Sequence, residues 1–273
     1  MPKRPDSLPD YKQPPLIEVA LAVQFESLPQ LRQAHLGLFW SEIIDDYPNV
    51  RDQPPLESVV ERFDDGELPM FQLEITDAPP VHRAWFISAD DTLLVQVQSD
   101  RFVHNWRQRG EPYPRFEALY ETFSTRLAQF EQVLARTNVP APAYNHIEVT
   151  YINWIEASRL SEFLLMSDPP PLPSGGVAGY PDEETYATRY LVSSESRPIG
   201  RLHVRTNVAR RRTEEGHIDR GFILSLTFRA PMPSTAQSVE MEDLMFRGRD
   251  LIVESFTSLT RPELQTTRWE RTQ

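Results

Sequence analysis

Two kinds of apolar periodicity open the sequence. From Ile17 to Phe25 apolar residues alternate with polar or small ones, the period-two pattern of a strand with one buried face. Residues 27–47 follow with apolar side chains at helical spacing, with Pro29 near the first turn and Pro48 after the last. The chain is therefore predicted to begin with a strand and an amphipathic helix.

A meander of antiparallel strands is predicted next. Short β-like runs are separated by turn-forming pairs such as Asp65-Gly66 and Pro79-Pro80. A long helix follows over residues 114–136, where apolar residues repeat every three and four positions. The runs predicted as strands are 59–63, 70–75, 84–88, 93–98 and 102–106.

The second half of the sequence repeats this order of elements. The tetrapeptide at residues 146–149, HIEV, echoes LIEV at residues 16–19. Helical spacing resumes at Leu160, and a Pro-Gly loop spans residues 168–181. The remaining predicted elements are strands at 145–155, 185–192, 202–208 and 222–228 and a helix at 239–258.

Matching element orders predict an α+β fold made of two β-α-β(3–5)-α units related by a pseudo-twofold axis. The units are placed at residues 16–140 and 141–265, between a polar leader (1–15) and a tail (266–273), and are expected to form one compact domain. Each helix has a single apolar stripe, so a curved antiparallel sheet backed by helices would bury all of them. This element order is similar to that of the TATA-binding protein, an analogy that carries no function.

Composition excludes several classes of protein. The 273 residues include no cysteine, so disulfides, thiolate nucleophiles and iron–sulfur clusters are excluded, and a cytoplasmic location is the default. A net charge of −12 disfavours nucleic acid as the partner, and short apolar stretches disfavour a membrane span. The six histidines lack metal-ligand spacing, and the sequence contains no phosphate-binding or nucleophile-elbow motif. We therefore expect no metal and no cofactor.

The first candidate site lies between the last strand of the predicted meander and the long helix that follows it. Asn105, Trp106 and Arg107 precede Tyr113 and Arg115, and together they offer a stacking surface, an amide and two guanidinium forks. A polar cleft for a ligand can be built from these groups. The alternative is structural: Trp106 caps the core, Asn105 ties the turn, and the helix begins beside Pro114.

Two glutamates hold equivalent places in the two units. Glu18 and Glu148 lie on the strand faces opposite the apolar residues, and in a duplicated sheet they would approach each other near its middle. Paired carboxylates can act as acid and base or bind a cation. Solvated or arginine-paired glutamates are the commoner outcome.

Basic residues concentrate late in the chain. Residues 197–229 hold eight arginines against three acidic residues, a net charge of +5 in an acidic protein. Arg201, His203 and Arg205 share one strand face with Asn207. This strip suits an acidic partner or phosphates, or it pairs with the chain's own carboxylates, including Glu18 and Glu148.

Several segments resemble a family of sporadically distributed bacterial proteins of about this length. They are an opening PPLIE at residues 14–18, RFVHNWR at 101–107, YPRFE at 113–117 and YIN at 151–153. The tryptophan expected near the end stands at Trp269, a few residues late. The family has no established activity, and its patchy distribution implies carriage by defence or toxin-neutralisation loci.

The sequence thus predicts a non-enzymatic cytoplasmic module, a monomer or homodimer, that binds another protein through the exposed sheet face or the hairpin ends. The alternative is an enzyme or small-ligand-binding protein whose cleft gathers Asn105, Trp106, Arg107 and Arg115.

Overall fold

The computed structural model describes residues 4–61, 63, 82–168, 183–212, 216–232 and 238–272. Nine strands and four helices lie within these ranges, and a single 3₁₀ turn spans Leu160–Glu162. The elements are β1 (Leu16–Phe25), α1 (Gln33–Ile43), β2 (Asn49–Gln53), β3 (Arg83–Ile87), β4 (Leu93–Gln98), β5 (Arg101–Arg107), α2 (Phe116–Arg136), β6 (Tyr144–Ile155), β7 (Tyr186–Ser194), β8 (Arg197–Arg212), β9 (Ile218–Pro231), α3 (Ser238–Leu259) and α4 (Pro262–Thr267).

All nine strands join one open antiparallel sheet in the order β2-β3-β4-β5-β1-β6-β9-β8-β7. The first strand of each half, β1 and β6, pair at its centre, with Ala20 opposite Thr150. Outward from that pair, β5, β4 and β3 follow on one side and β9, β8 and β7 on the other. The chain is therefore α+β, as the alternation of strand and helix patterns predicted.

The three long helices pack on one face of the sheet. Phe39 of α1 and Phe130 of α2 meet Phe102 of β5 with ring centroids 5.8–6.1 Å apart. On the other half, a Cβ added to Gly248 of α3 would stand 2.5 Å from the ring of Phe228, so only glycine permits this helix to lie so close to β9. The strand register places both contacts on the same face, and we call the opposite one the helix-free face.

Several predicted elements need correction. Residues 59–61 and 63 are neither strand nor helix, and the run at 70–75 lies outside the described residues. The first helix is shorter than the predicted 27–47, and β2 follows it directly at Asn49–Gln53. In the second half the expected helix after the first strand is only the 3₁₀ turn at Leu160–Glu162, so that half lacks a counterpart of α1 within its described residues.

The predicted leader and tail pack against each other. Lys12 N–H donates to the carbonyl of Glu270 at 3.2 Å, and the ring of Tyr11 meets Phe256 and Trp269 edge-on within 6.4 Å. The leader thus packs against Phe256, near the end of α3. Among the described residues, none of the helices combines the length and apolar character needed to cross a membrane.

Candidate functional site

An irregular segment, residues 54–61, runs over the helix-free face, and we call it the strap. Because side chains alternate along a strand, the even-numbered residues of β1 and β6 point toward it while the apolar odd-numbered ones face the helices. Polar side chains from six neighbouring strands bond the strap. They are Gln98 of β4, Arg101 of β5, Gln24 of β1, His146 of β6, Arg229 of β9, and Arg201 and His203 of β8.

Two glutamine side chains bind the strap through its backbone. Gln98 accepts the N–H of Leu56 at 2.9 Å and donates to the carbonyl of the same residue at 3.0 Å. Gln24 does the same for Val59, with both distances 3.0 Å. An amide side chain carries one acceptor and one donor group, so each glutamine mimics a strand partner for a single residue. Such contacts bind the backbone of an extended segment and do not depend on the identity of its side chains.

A histidine continues this series at the start of β6. Glu61 N–H donates to His146 Nε2 at 3.0 Å, and His146 Nδ1 lies 3.1 Å from Asn145 Oδ1. The acceptor role of Nε2 places the proton on Nδ1, which then donates to Asn145. Burial lowers the pKa of His146, which keeps the ring in the neutral form that this geometry needs.

The strap ends at a carboxylate surrounded by basic groups. Glu61 lies 2.7 Å from Arg201 Nη1, 2.6 Å from His203 Nε2 and 3.5 Å from Arg229 Nη1, with 5% of its side chain exposed. Burial alone raises the pKa of Glu61, but the hydrogen bonds from His203 and Arg201 and the charge of Arg229 outweigh it and lower the pKa to about 2. The ring of Phe63 lies 5.0 Å from the guanidinium carbon of Arg201. We call Arg201, His203 and Arg229 the basic cluster.

Glu18 and Glu148, which the sequence predicted to approach each other, do not form a pair. Glu18 lies opposite Ile152 and Glu148 opposite Ala22, so four residues, roughly 13 Å of strand, separate them. Glu148 binds Arg229 at 2.5 Å, and Glu18 accepts from Asn105 at 2.6 Å. The expectation that these carboxylates approach each other is wrong, because the central register offsets them to either side of Ala20.

The arginine strip pairs partly with the chain's own carboxylates. Arg201 and His203 bind Glu61, and Arg229, which lies opposite Arg201 in the ladder, binds Glu148. Arg205 is exposed, and within the described residues it makes no ion pair. The chain's own carboxylate thus pairs with Arg201 and His203, whereas Arg205 on the same strand is exposed to solvent.

The cleft expected around Asn105 does not assemble from all its members. Asn105 points to the helix-free face, where it also accepts from Gln96 at 2.8 Å, while Trp106 is buried on the helix side against Tyr113. Arg107 binds Asp91 at 2.5 Å. Successive residues of a strand face opposite ways, so β5 separates Trp106 from its two neighbours.

A cavity of about 70 Å³ does lie on the helix side, lined by Tyr113 and Arg115. The hydroxyls of Tyr113 and Tyr151 are 3.0 Å apart, and burial raises the pKa of both, to about 12 for Tyr151. Arg115 closes its rim through an ion pair with Asp10 at 2.5 Å. The structure thus brings Tyr113 and Arg115 to one cavity, with Trp106 behind Tyr113.

Sequence reasoning missed the strap and most of what binds it. Gln98 is the last residue of β4, Gln24 the last but one of β1 and His146 the third of β6, each on the helix-free face. A buried amide on an otherwise apolar strand is the signal that marks them, since burial requires a partner for it. Glu61 carries no such signal, because its partners are about 140 residues away.

No group of three or more His, Asp or Glu residues in the described part of the chain is arranged to hold a metal ion. No family model, curated protein or solved structure matches the sequence. The function is therefore argued from the geometry of the helix-free face.

Proposed function

We propose that this chain is a non-enzymatic, cytoplasmic protein-binding module whose helix-free face holds an extended segment of another protein. The observation that carries the proposal is the strap, a segment already held there by side chains of six adjacent strands. The resemblance noted above adds that its gene belongs to defence or toxin-neutralisation loci.

The helix-free face binds backbone N–H and C=O groups, which a polypeptide partner would supply. Gln24 and Gln98 each satisfy both backbone groups of one residue, and His146 accepts a third N–H. Each such bond contributes ~1 kcal/mol and depends little on the sequence of the segment. The same five bonds are available to any extended segment that replaces the strap.

Charge favours protein over nucleic acid as the partner. Glu18 and Glu148 occupy the helix-free face and would oppose a phosphate backbone, as would the net charge of −12. We expect little retention of duplex DNA at moderate salt. Tight retention with a steep salt dependence would contradict the choice of a protein partner.

Two variants that free the face in different ways test the proposal. Val59→Pro removes the N–H that binds Gln24 and loosens the strap while leaving every sheet residue intact. Gln24→Leu removes both bonds to Val59 and, unlike Val59→Pro, takes them from the sheet side of the contact. A phage-displayed library of random dodecapeptides panned on both should enrich binders on Val59→Pro and clearly fewer on Gln24→Leu. Equal enrichment on the two, or none on Val59→Pro, would refute binding at this face.

We also propose that the two halves are related by a pseudo-twofold axis, as in the TATA-binding-protein element order. The strand order is the same outward from β1 and from β6, and the 130-residue offset of the repeated tetrapeptide is centred on the Ala20–Thr150 pair. Helix α2 contacts β5 and helix α3 contacts β9, which are equivalent strands. An experimental structure in which α2 and α3 stand in different relations to their strands would contradict the duplication.

The cavity between Tyr113 and Tyr151 favours a second candidate function, binding of a small molecule. Two hydroxyls that bond only each other, within the described residues, leave one O–H proton without an acceptor. A small ligand carrying a carbonyl or carboxylate oxygen supplies it. Short-chain carboxylic acids should then raise the melting temperature of the wild-type chain and have less effect on the Tyr113→Phe/Tyr151→Phe double variant, which lacks both hydroxyls; no change with any of them would count against this candidate.

A further inference from the structure

The basic cluster is built around a carboxylate. Arg201 and His203 find in Glu61 their acidic partner among the described residues, with distances of 2.7 and 2.6 Å. Arg229 is held mainly by Glu148 and touches Glu61 at 3.5 Å. Withdrawal of the strap therefore leaves Arg201 and His203, which share one face of β8, without an anionic partner among the described residues.

The cluster is also placed in register with the backbone contacts. The strap meets Gln98 at Leu56, Gln24 at Val59 and His146 at Glu61, and the side chain of that last residue enters the cluster. Glu61 is thus bound at two groups: His146 of β6 binds its N–H, and Arg201 and His203 of β8 bind its carboxylate. This double contact distinguishes its position from every other position of the strap.

We propose that the segment bound in trans carries a glutamate where Glu61 stands, and that the strap is its competitor within the same chain. This inference rests on the proposed function, because it assigns the chemistry of the partner that the helix-free face binds. The partner is an extended, acidic segment of another protein: its backbone occupies Gln98, Gln24 and His146, and its carboxylate occupies the basic cluster.

The strap, as a competitor in the same chain, limits the affinity of the protein for its partner. A tethered segment acts at an effective concentration of about millimolar, so a partner with the same contacts must exceed that concentration or form additional contacts. The partner's affinity for the wild-type chain is consequently low until the strap opens. A change that weakens the strap without altering the sheet should increase binding of the partner.

The experiment uses the full chain and a fluorescein-labelled peptide, PPLESVVERF, that contains the strap sequence and the two residues after it (residues 54–63). Glu61→Gln weakens the strap and leaves the basic cluster intact. Glu57→Gln is the matched control, since the side chain of Glu57 is exposed and the described residues bind it only through its backbone carbonyl, by Arg101. Fluorescence polarisation measures the dissociation constants. Val59→Pro is a second way to weaken the strap if Glu61→Gln does not fold.

We expect the peptide to bind the Glu61→Gln chain roughly 10- to 100-fold more tightly than it binds wild type or Glu57→Gln, the range given by hydrogen bonds to charged groups. The same peptide with glutamine in place of its second glutamate should lose a similar factor. Equal binding of the two peptides would overturn the carboxylate requirement and leave the binding face standing.

Two further outcomes are distinguishable. If neither peptide binds Glu61→Gln or Val59→Pro although hydrogen exchange shows the strap to be open, both the inference and the proposed function fail. If either variant forms a dimer in sedimentation analysis, the occupant is the strap of a second copy, which overturns the assignment to another protein.

Discussion

Neutralising Glu61 should free the strap by a predictable amount. Its carboxylate has a pKa lowered from 4.5 to about 2, against the effect of burial, by its contacts with His203, Arg201 and Arg229. That difference corresponds to about 3 kcal/mol in favour of the ionised form. Glutamine keeps the shape and part of the hydrogen bonding, so we expect Glu61→Gln to cost the docked strap about 2–3 kcal/mol.

Hydrogen exchange at the strap amides measures this loss directly. The N–H groups of Leu56, Val59 and Glu61 are bonded to sheet side chains, so they exchange only when the strap opens. A loss of 2–3 kcal/mol accelerates their exchange roughly 30- to 150-fold. Glu57→Gln should leave the rates unchanged. Equal rates in Glu61→Gln and wild type, or equal acceleration by Glu57→Gln, would refute the role of the basic cluster.

Acid should release the strap of the wild-type chain in the same way. A carboxylate whose folded pKa is depressed stabilises the docked state above pH 4.5, and this contribution is lost as the pH falls toward about 2. Arg201, His203 and Arg229 face Glu61 from β8 and β9, and His146 faces its backbone from β6. Faster exchange of the strap amides below pH 4.5 checks this, and Glu61→Gln should show the smaller change.

Two further predictions concern the helix side of the sheet. Gly248→Ala should destabilise the protein by about 1–2 kcal/mol in chemical denaturation, because the new methyl group meets the ring of Phe228 at 2.5 Å. Gly37→Ala in α1, where no atom lies within 4 Å, should instead stabilise the protein by ~0.5–1 kcal/mol, and destabilisation by both variants would contradict the packing argument. Burial and the charge of Arg126 lower the pKa of His104 to about 3. The neutral ring therefore stabilises the fold above pH 6.5, and this contribution is lost at about 1.4 kcal/mol per pH unit as the pH falls toward 3. His104→Gln should remove that slope from the pH dependence of the free energy of unfolding, and an unchanged slope would refute the assignment.

The elements that the sequence predicted well are those with one buried face. In β1 the apolar residues face the helices, so its alternation marks the strand to within one residue, and the apolar stripe of α2 marks that helix to within two. Strand β2 was not predicted, because four of its five residues are exposed and neither face imposes a pattern. The run at residues 59–63 opens with two β-branched valines, a residue type that strands favour, but the N–H groups of Val59 and Glu61 donate to the side chains of Gln24 and His146 rather than to the backbone of a neighbouring strand.

The candidate site could be predicted only in part for the same physical reason. Arg201 and His203 were found because alternation places them on one strand face, and a charge excess marks that stretch. Their partner is set by a crossing that brings residue 61 to residues 201 and 203, which no local pattern encodes. Likewise the register of β1 on β6, fixed only when the sheet forms, separated Glu18 from Glu148.

Glu61 and the basic cluster lie in different halves of the chain. Glu61 belongs to the amino-terminal half, whereas the three basic side chains around it all come after residue 200. A fragment boundary near residue 140 would leave Gln24, Gln98 and the strap in one piece and His146 with the basic cluster in the other. Each piece would carry only part of the surface, so cutting the protein there would separate the carboxylate from the groups that bind it.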